Sequence, residues 1–378
     1  MKRSTDRILT THTGSLPRPK DLLGLLRDRE EGRLIAEATL RDRTRSAVLD
    51  VVKKQRETGL SIVNDGEQGR ADYTVYVKDR LTGFEGESTP WPNPDATEFP
   101  EWAEMARQFA PPFQKRPACT GPVKWKDWPA VERDIQNLKD ATHGRTEDVF
   151  MTSPSPGQIG RFLQNRYYRS DEEYLYTLAD VMKREYQAIV QAGLILQVDC
   201  PDLALGRHTQ FAHLTLEEFR KVAAMHVEVL NHSVAEIPAD RIRLHICWAS
   251  TGGPHHRDVP LRDIVDVVVK ARPEGLVVAG ANPRHEHEWK VWKDVALPAG
   301  KVLVAGVIDS TTNFIEHPEL VAERIARYAS VVGRENVIAG VDCGFGTFAG
   351  RVQVDTNIVW HKLRALVEGA RLASRELG

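Results

Sequence analysis

The sequence predicts an α/β chain folded as a (β/α)8 TIM-type barrel, a single domain over residues 1–378 with an insertion after the second strand. Three observations carry this reading. Apolar runs alternate with helical stretches, most regularly after residue 194, and that alternation denotes a parallel sheet. The runs themselves are short and mostly apolar, as in Leu194-Ile195-Leu196-Gln197-Val198, which suits strands covered on both faces. The residues able to do chemistry fall at strand ends, where a barrel of this kind builds its active site. An open doubly wound sheet is the alternative, but no G-x-G-x-x-G follows the first strand. Nine strand candidates, near residues 8, 61, 118, 149, 195, 242, 276, 302 and 337, compete for eight places. One therefore lies outside the ring, and the segment near 8 or near 118 is expected to be that one.

Ile8-Leu9-Thr10-Thr11 is the first β-prone run, and it ends in a Gly- and Pro-containing loop, His12-Thr13-Gly14-Ser15-Leu16-Pro17-Arg18-Pro19. Helical periodicity covers residues 33–58 (Leu34, Ile35, Ala38, Leu40, Val48, Val51, Val52), and Gly59 stops that helix. Leu60 to Asn64 is a strand that delivers Asp65-Gly66-Glu67-Gln68-Gly69-Arg70. Residues 75–145 form an irregular insertion and third strand/helix region, with six prolines between 90 and 112. Its aromatics Trp91, Phe99, Trp102, Phe109 and Phe113 argue against disorder and are expected to cover the barrel rather than line a pocket. Pro117 to Gly121 reads as a strand, followed by a polar helix to about His143. Asp148 to Thr152 is the next strand, ending in Ser153-Pro154. A long amphipathic helix spans 171–192, with a Ser170/Glu173 capping signal and Gly193 as its stop. Its successor strand delivers Asp199-Cys200-Pro201. Helices over 215–235, 258–271, 317–331 and 355–376 then separate strands near 242, 276, 302 and 337.

Composition excludes several classes. Hydrophobic residues make up 41% and charged residues 28%, as in ordinary globular proteins, and the net charge is −2. No basic field points to nucleic acid or an anionic membrane. No apolar run approaches the ~18 residues of a membrane span, and no apolar leader follows Met1. The four cysteines (Cys119, Cys200, Cys247, Cys343) are too few for a disulfide framework in 378 residues, which suits a reducing, cytoplasmic setting. The oligomeric state is not legible, although barrels of this size often pair.

Leu244-His245-Ile246-Cys247 ends a strand, and residues two apart on a strand share a side. Cys343 follows another apolar run. One imidazole and two thiols form a zinc-type donor set with a fourth position left for a substrate; the plain alternative is a core His with two buried Cys. His285-Glu286-His287-Glu288, flanked by Arg284 and Lys290, reads instead as a solvated face. Cys119 and Cys200 read as inert buried thiols.

Jointly, these strand ends resemble the catalytic half of cobalamin-independent methionine synthase, and in length and opening motif the single-domain branch that includes epoxyalkane:coenzyme M transferase. The resemblance implies zinc held by His245, Cys247 and Cys343. It implies a thiol substrate contacted by Gly14-Ser15, by Glu67 next to Arg70, and by Asp199, and it places Asp309 at a further strand end. Three positions depart from the pattern. Ala281-Asn282 stands where methionine synthase has a further metal-coordinating Glu before Asn. Thr152-Ser153-Pro154 replaces Thr-Gly-Pro, and no folate-stacking Trp follows within 155–170. Cys200 replaces the Glu after the substrate Asp. The first two lean toward the coenzyme M branch, whereas Glu67 and Asp199 suit an amino-acid thiol.

The expected chemistry is alkyl transfer: a metal-activated thiolate attacks an electrophilic carbon on a methyl donor or an epoxide. His12, Tyr73 and Asp309 are the candidates to deliver a proton to the leaving oxygen. The partners expected are a small thiol and an alkyl donor. Folate-dependent methionine synthesis, a metal-free lyase or decarboxylase on a related barrel, and a non-catalytic thiol-binding barrel are the alternatives.

Overall fold

The computed structural model describes residues 1–107, 114–145 and 148–378. Its strands are β1 (Leu9–Thr10), β2 (Phe84–Glu85), β3 (Ala118–Cys119), β4 (Phe150–Pro154), β5 (Ile195–Asp199), β6 (Ile242–His245), β7 (Gly275–Val278), β8 (Val302–Ile308) and β9 (Val337–Val341). Seven of them form one parallel sheet in the order β1-β9-β8-β7-β6-β5-β4. The sheet curls until its two edges face each other across residues 61–63. There the Ile62 amide donates to Thr10 O (3.0 Å), Val63 bridges Val149 in parallel, and the Phe150 amide donates to Val63 O (3.0 Å). The predicted second strand is thus reduced to one bridge, yet it occupies the eighth place of the ring.

The segment near 118 is the one outside. β3 pairs antiparallel with β2 in a two-stranded ribbon, so the third strand of the ring is β4, and the insertion contributes none. Each ribbon strand is two residues long, with Gly86 directly after β2 and Gly121-Pro122 just beyond β3.

Strand alternation separates two cores. Ile62, Phe150, Ile195, Val277, Val302, Val304 and Ile338 form a cluster of their own inside the ring. Their neighbours Met151, Leu196, Leu276, Leu303 and Val337 join the larger core beneath the helices. Above the inner apolar cluster lies a polar layer. Arg243, fully buried, donates to Gln197 Oε1 (2.7 Å), Thr11 Oγ1 (3.1 Å) and His12 O (2.9 Å), with its guanidinium 3.5 Å over the Phe150 ring.

The long helices follow the sequence reading. Glu37–Thr58 ends at Gly59 with φ 95°, Asp171–Gln191 precedes Gly193 with φ 86°, and Leu216–Ser233, Pro318–Val332 and Thr356–Glu376 lie near their expected bounds. Three details differ. Lys20–Glu30 is an additional helix after Pro19. The stretch 258–271 holds only a 3-10 turn, Leu261–Asp263, and one helical turn, Val265–Val268, because Pro260 and the β-branched run of Ile264, Val265, Val267, Val268 and Val269 disfavour a longer helix. Glu173 reaches the Arg169 amide, so the reciprocal box occurs not at Ser170 but at Thr215 and Glu218.

The insertion arches over the end of the ring where β5, β6 and β9 terminate, and Trp91 and Trp102 line the cavity beneath it. The expectation that these aromatics only cover the barrel is therefore corrected: they do both. Phe109 and Phe113 lie outside the described residues. No described helix is long and apolar enough to cross a membrane.

Candidate metal centre and substrate cavity

β5 and β6 pair in a register that sets Asp199 beside His245. Both are the last residues of their strands. The His245 Nδ1–H donates to Asp199 Oδ1 at 2.9 Å, and the Gln197 amide nitrogen donates to the same oxygen at 2.7 Å. That bond fixes the tautomer and leaves Nε2 as the free nitrogen. His245 Nε2 is buried and has no partner. Cys247, two residues past His245, and Cys343, two residues past β9, meet with sulfurs 3.2 Å apart. The ligand atoms of His245, Cys247 and Cys343 all lie within 4.8 Å of one another. An unpartnered imidazole nitrogen facing two thiols fits a soft metal ion.

Charge is unevenly distributed over these three groups. Burial alone would lower His245, but the Asp199 hydrogen bond and the negative charge of Asp199 and Cys343 outweigh burial and raise it to about 9. The Cys247 thiol and the His245 imidazole push Cys343 well down, while Cys247 is pushed up. The backbone is strained beside these groups: Ala249, whose amide donates to Cys247 Sγ at 3.3 Å, has φ 107°.

Glu67 stands opposite. It adopts φ 54°, directly after Gly66, and is 2% exposed. Its Oε1 accepts from Thr152 Oγ1 at 3.0 Å, and Oε2 has no partner. Burial, then the charge of Asp199, raises its carboxyl to about 8. Gly14 is required here, since a Cβ would lie 2.8 Å from Glu67 Oε1. Gly344 is required for the same reason, since its Cβ would lie 2.0 Å from Ser15 Oγ. The Ser15 hydroxyl accepts from the Gly346 amide at 3.3 Å.

These groups line one cavity of about 1040 Å³ that includes Ser15, Glu67, Tyr73, Asp199, His245, Cys247 and Cys343. The remaining sequence candidates stand elsewhere. Arg70 is buried but points away, donating to Thr152 O (2.8 Å) and Oγ1 (3.1 Å), and it forms no surface pair with Glu67. His12 does not line the cavity. Its Nε2 bonds Gln55 Oε1 (2.8 Å), its Nδ1 accepts from the Gly14 amide (3.3 Å), and burial lowers it to about 3. Asp309 also lies outside the lining, its carboxylate accepting from the amides and hydroxyls of Thr311 and Thr312 at 2.7–3.1 Å. Tyr73 alone of the three proton-donor candidates faces the cavity. Its hydroxyl accepts from Gln158 Nε2 (2.8 Å), and burial keeps it protonated far above its ordinary range.

The sequence reading missed three features. Asp342 accepts from the amides of Gly280, Ala281 and Asn282 and from the Asn282 side chain, at 2.8–2.9 Å, and so braces the loop beside the candidate metal ligands. Gln197 orients Asp199; a polar residue inside an apolar strand was its available signal. The third is a buried histidine cluster, which corrects the solvated-face reading of 285–288. His285 is 2% exposed, bonded through Nδ1 to Glu288 (2.7 Å) and through Nε2 to Asp258 (2.9 Å), with His255 on the same carboxylate at 2.7 Å. Only Glu286 and His287 of that run face outward, Glu286 pairing with Arg324 and Arg327 at 3.2 Å. Cys200 is buried and held protonated by burial, as expected of an inert thiol.

No family model matches the sequence. A methionine synthase of Thermococcus kodakarensis is 25% identical over 371 residues, covering 97% of this chain and 94% of the relative. A methionine synthase of Sulfolobus acidocaldarius is 23% identical with similar coverage, and the uncharacterized protein YxjH of Bacillus subtilis is 25% identical over 378 residues. A solved B12-independent methionine synthase from Shewanella sp. W3-18-1, bound to selenomethionine, superposes with a TM-score of 0.73 at 20% identity over 98% of this chain and 99% of that one. A second solved structure, from Listeria monocytogenes, gives 0.65. The resemblance to the cobalamin-independent methionine synthase superfamily thus runs over nearly the whole chain, and the fold is that of its barrels. These relatives do not show the coenzyme M transferase branch.

Proposed function

We propose, from this likeness to cobalamin-independent methionine synthases, that the protein transfers a methyl or related alkyl group to the thiol of a small substrate such as homocysteine, with zinc as its metal. The observation that carries the reading is the unpartnered Nε2 of His245 facing the Cys247 and Cys343 sulfurs on the cavity floor. Zinc held by these three residues would act as a Lewis acid that keeps a substrate thiol deprotonated at neutral pH. A metal-free lyase has no use for that arrangement.

The chain's own groups supply the rest. Asp199 holds the His245 tautomer. Glu67, whose second oxygen is free, accepts the ammonium group of an amino-acid thiol, whose arrival favours the ionised carboxylate. Ser15 lies beside Gly344, close enough to steer the same substrate. Tyr73, a hydroxyl with its proton in place, donates to the leaving group of the alkyl donor. The insertion shields the cavity, which limits competing attack by water.

Metal analysis with X-ray absorption tests the assignment. The purified protein is expected to carry zinc, to lose it in His245→Ala and Cys343→Ser, and to gain one sulfur in the zinc coordination sphere when homocysteine is added. Full zinc content in both variants would sink the reading.

A further inference from the structure

Three histidines converge on one carboxylate that thiol activation does not use. His208 follows β5, His255 and Asp258 follow β6, and His285 follows β7. Asp258 Oδ2 stands 2.7 Å from His255 Nδ1 and 2.9 Å from His285 Nε2. Its Oδ1 stands 3.3 Å from His208 Nδ1, and neither of these two buried atoms makes a hydrogen bond. The donor atoms of His255, Asp258 and His285 all lie within 4.8 Å of one another. Asp258 and His285 are buried, and the Trp248 ring lies against His285 with centroids 4.4 Å apart.

The outer nitrogens of two of these rings are committed. His285 Nδ1 is 2.7 Å from Glu288 Oε2, whose other oxygen takes the Leu261 amide at 2.7 Å. His255 Nε2 is 2.8 Å from the Thr251 carbonyl. Carbonyls and carboxylates only accept, so each outer nitrogen carries a proton. The inner nitrogen of a neutral ring then turns a lone pair toward Asp258. Two such lone pairs and a carboxylate repel unless positive charge lies among them. Second protons on both rings would relieve this, and the bonds to Asp258 and Glu288, which outweigh burial, do raise His285 to about 9. Those protons would still leave Asp258 Oδ1 and His208 Nδ1 without partners. A single cation takes them as well, and burial keeps His208 neutral, as a ligand must be. Metal-bound imidazoles typically donate from their other nitrogen to a carboxylate or a carbonyl, as His285 and His255 do here. Access exists from two sides. His208 and Asp258 line a separate surface pocket of about 390 Å³, and His208 and His255 line the substrate cavity.

We propose that His208, His255, Asp258 and His285 hold a second metal ion, of the zinc class, with no sulfur among its ligands. Three imidazoles and one carboxylate suit zinc, and four protein ligands leave no open position, so the ion is structural. It enters as the inner protons leave to solvent. It ties together the loops that follow β5, β6 and β7, and through the Trp248–His285 contact it backs the strand end that carries Cys247. The inference does not rest on the alkyl-transfer reading.

Metal analysis after dialysis against zinc, and visible spectra after exchange into cobalt(II), test this on the full chain. The parent is expected to carry one ion more than Asp258→Asn or His208→Asn; the latter lies at the rim of the cluster, where a change disturbs folding least. Cys247→Ser/Cys343→Ser, which disables the first centre, should still bind cobalt, with d–d bands but no thiolate charge-transfer band, and should lose it when Asp258→Asn is added. Glu288→Gln, a change at a residue outside the ligand set, should weaken cobalt binding here by roughly tenfold. Metal content that Asp258→Asn and His208→Asn both leave unchanged overturns the proposal. So does a Cys247→Ser/Cys343→Ser chain that is folded by circular dichroism and takes up no cobalt, or a thiolate band on the ion that Asp258→Asn removes. A parent without sulfur-bound metal that still gives the sulfur-free cobalt spectrum keeps this site and sinks only the thiol-activating one.

Discussion

Single side chains in this cavity are defined as much by their unmet bonds as by those they make. Glu67 has one oxygen bonded and one free, in a backbone conformation that non-glycine residues rarely adopt. Glu67→Gln keeps the shape and removes the charge. It is expected to lower kcat/KM for homocysteine by roughly ten- to a hundredfold, the value of a charge-assisted hydrogen bond. A thiol without an amine, such as 3-mercaptopropionate, should be affected far less, and steady-state kinetics on both thiols checks this. His12 is the opposite case, a residue with every bond made. Its pKa is lowered from 6.5 to about 3 by burial, so the folded state excludes a proton that the unfolded chain binds below pH 6.5. Its contribution is therefore present above pH 6.5 and is lost as the pH falls toward 3, at about 1.4 kcal/mol per pH unit. In His12→Asn the unfolding free energy should fall less steeply between pH 6.5 and 4.5 than in the parent, as read by urea titration. An identical slope would refute that account.

At the scale of elements, strand register does what no single residue can. The pairing of Asp199 with His245 follows from the alignment of β5 and β6, and it converts two strand ends into an oriented ligand. Helix stops are equally local. Gly59 ends the helix Glu37–Thr58 at φ 95°, and a Cβ there would sit 3.1 Å from Val367 Cγ1 of the last helix. Gly59→Ala is expected to destabilise the fold by about 1 kcal/mol or somewhat more, measured by denaturant midpoint at constant m-value. The short turn at 265–268 shows where pattern reading reaches its limit: valines that look like a helix face are held by the packing of a neighbouring helix rather than by their own propensity.

For the molecule as a whole, the proposed metal ligands join the ends of β6 and β9, which are separated by β7 and β8 in the sheet. An ion bound only by the folded chain stabilises it by mass action. Chelation is therefore expected to lower Tm by several degrees in the parent and by little in Cys343→Ser, with calorimetry as the readout. Equal shifts in both would place the metal elsewhere. The ring also explains the two cores. Closing the sheet requires a strand position at 61–63, even though only one bridge forms there, because β1 and β4 would otherwise leave unpaired edges.

By itself the sequence determined the alternation of strand and helix, most long-helix boundaries, and the residues brought to the strand ends, because periodicity and Gly stops are local properties of the chain. His245 and Cys247 could be read as neighbours from a two-residue spacing. Tertiary structure alone decided which strand candidate stays outside the ring, which of His12, Tyr73 and Asp309 reaches the cavity, and that His285 is buried between Asp258 and Glu288. It also decided that Arg116, Arg161 and Arg351, dispersed along the sequence, line the same cavity. Burial and pairing depend on residues far apart in the chain, and a linear pattern holds no measure of the distance between them.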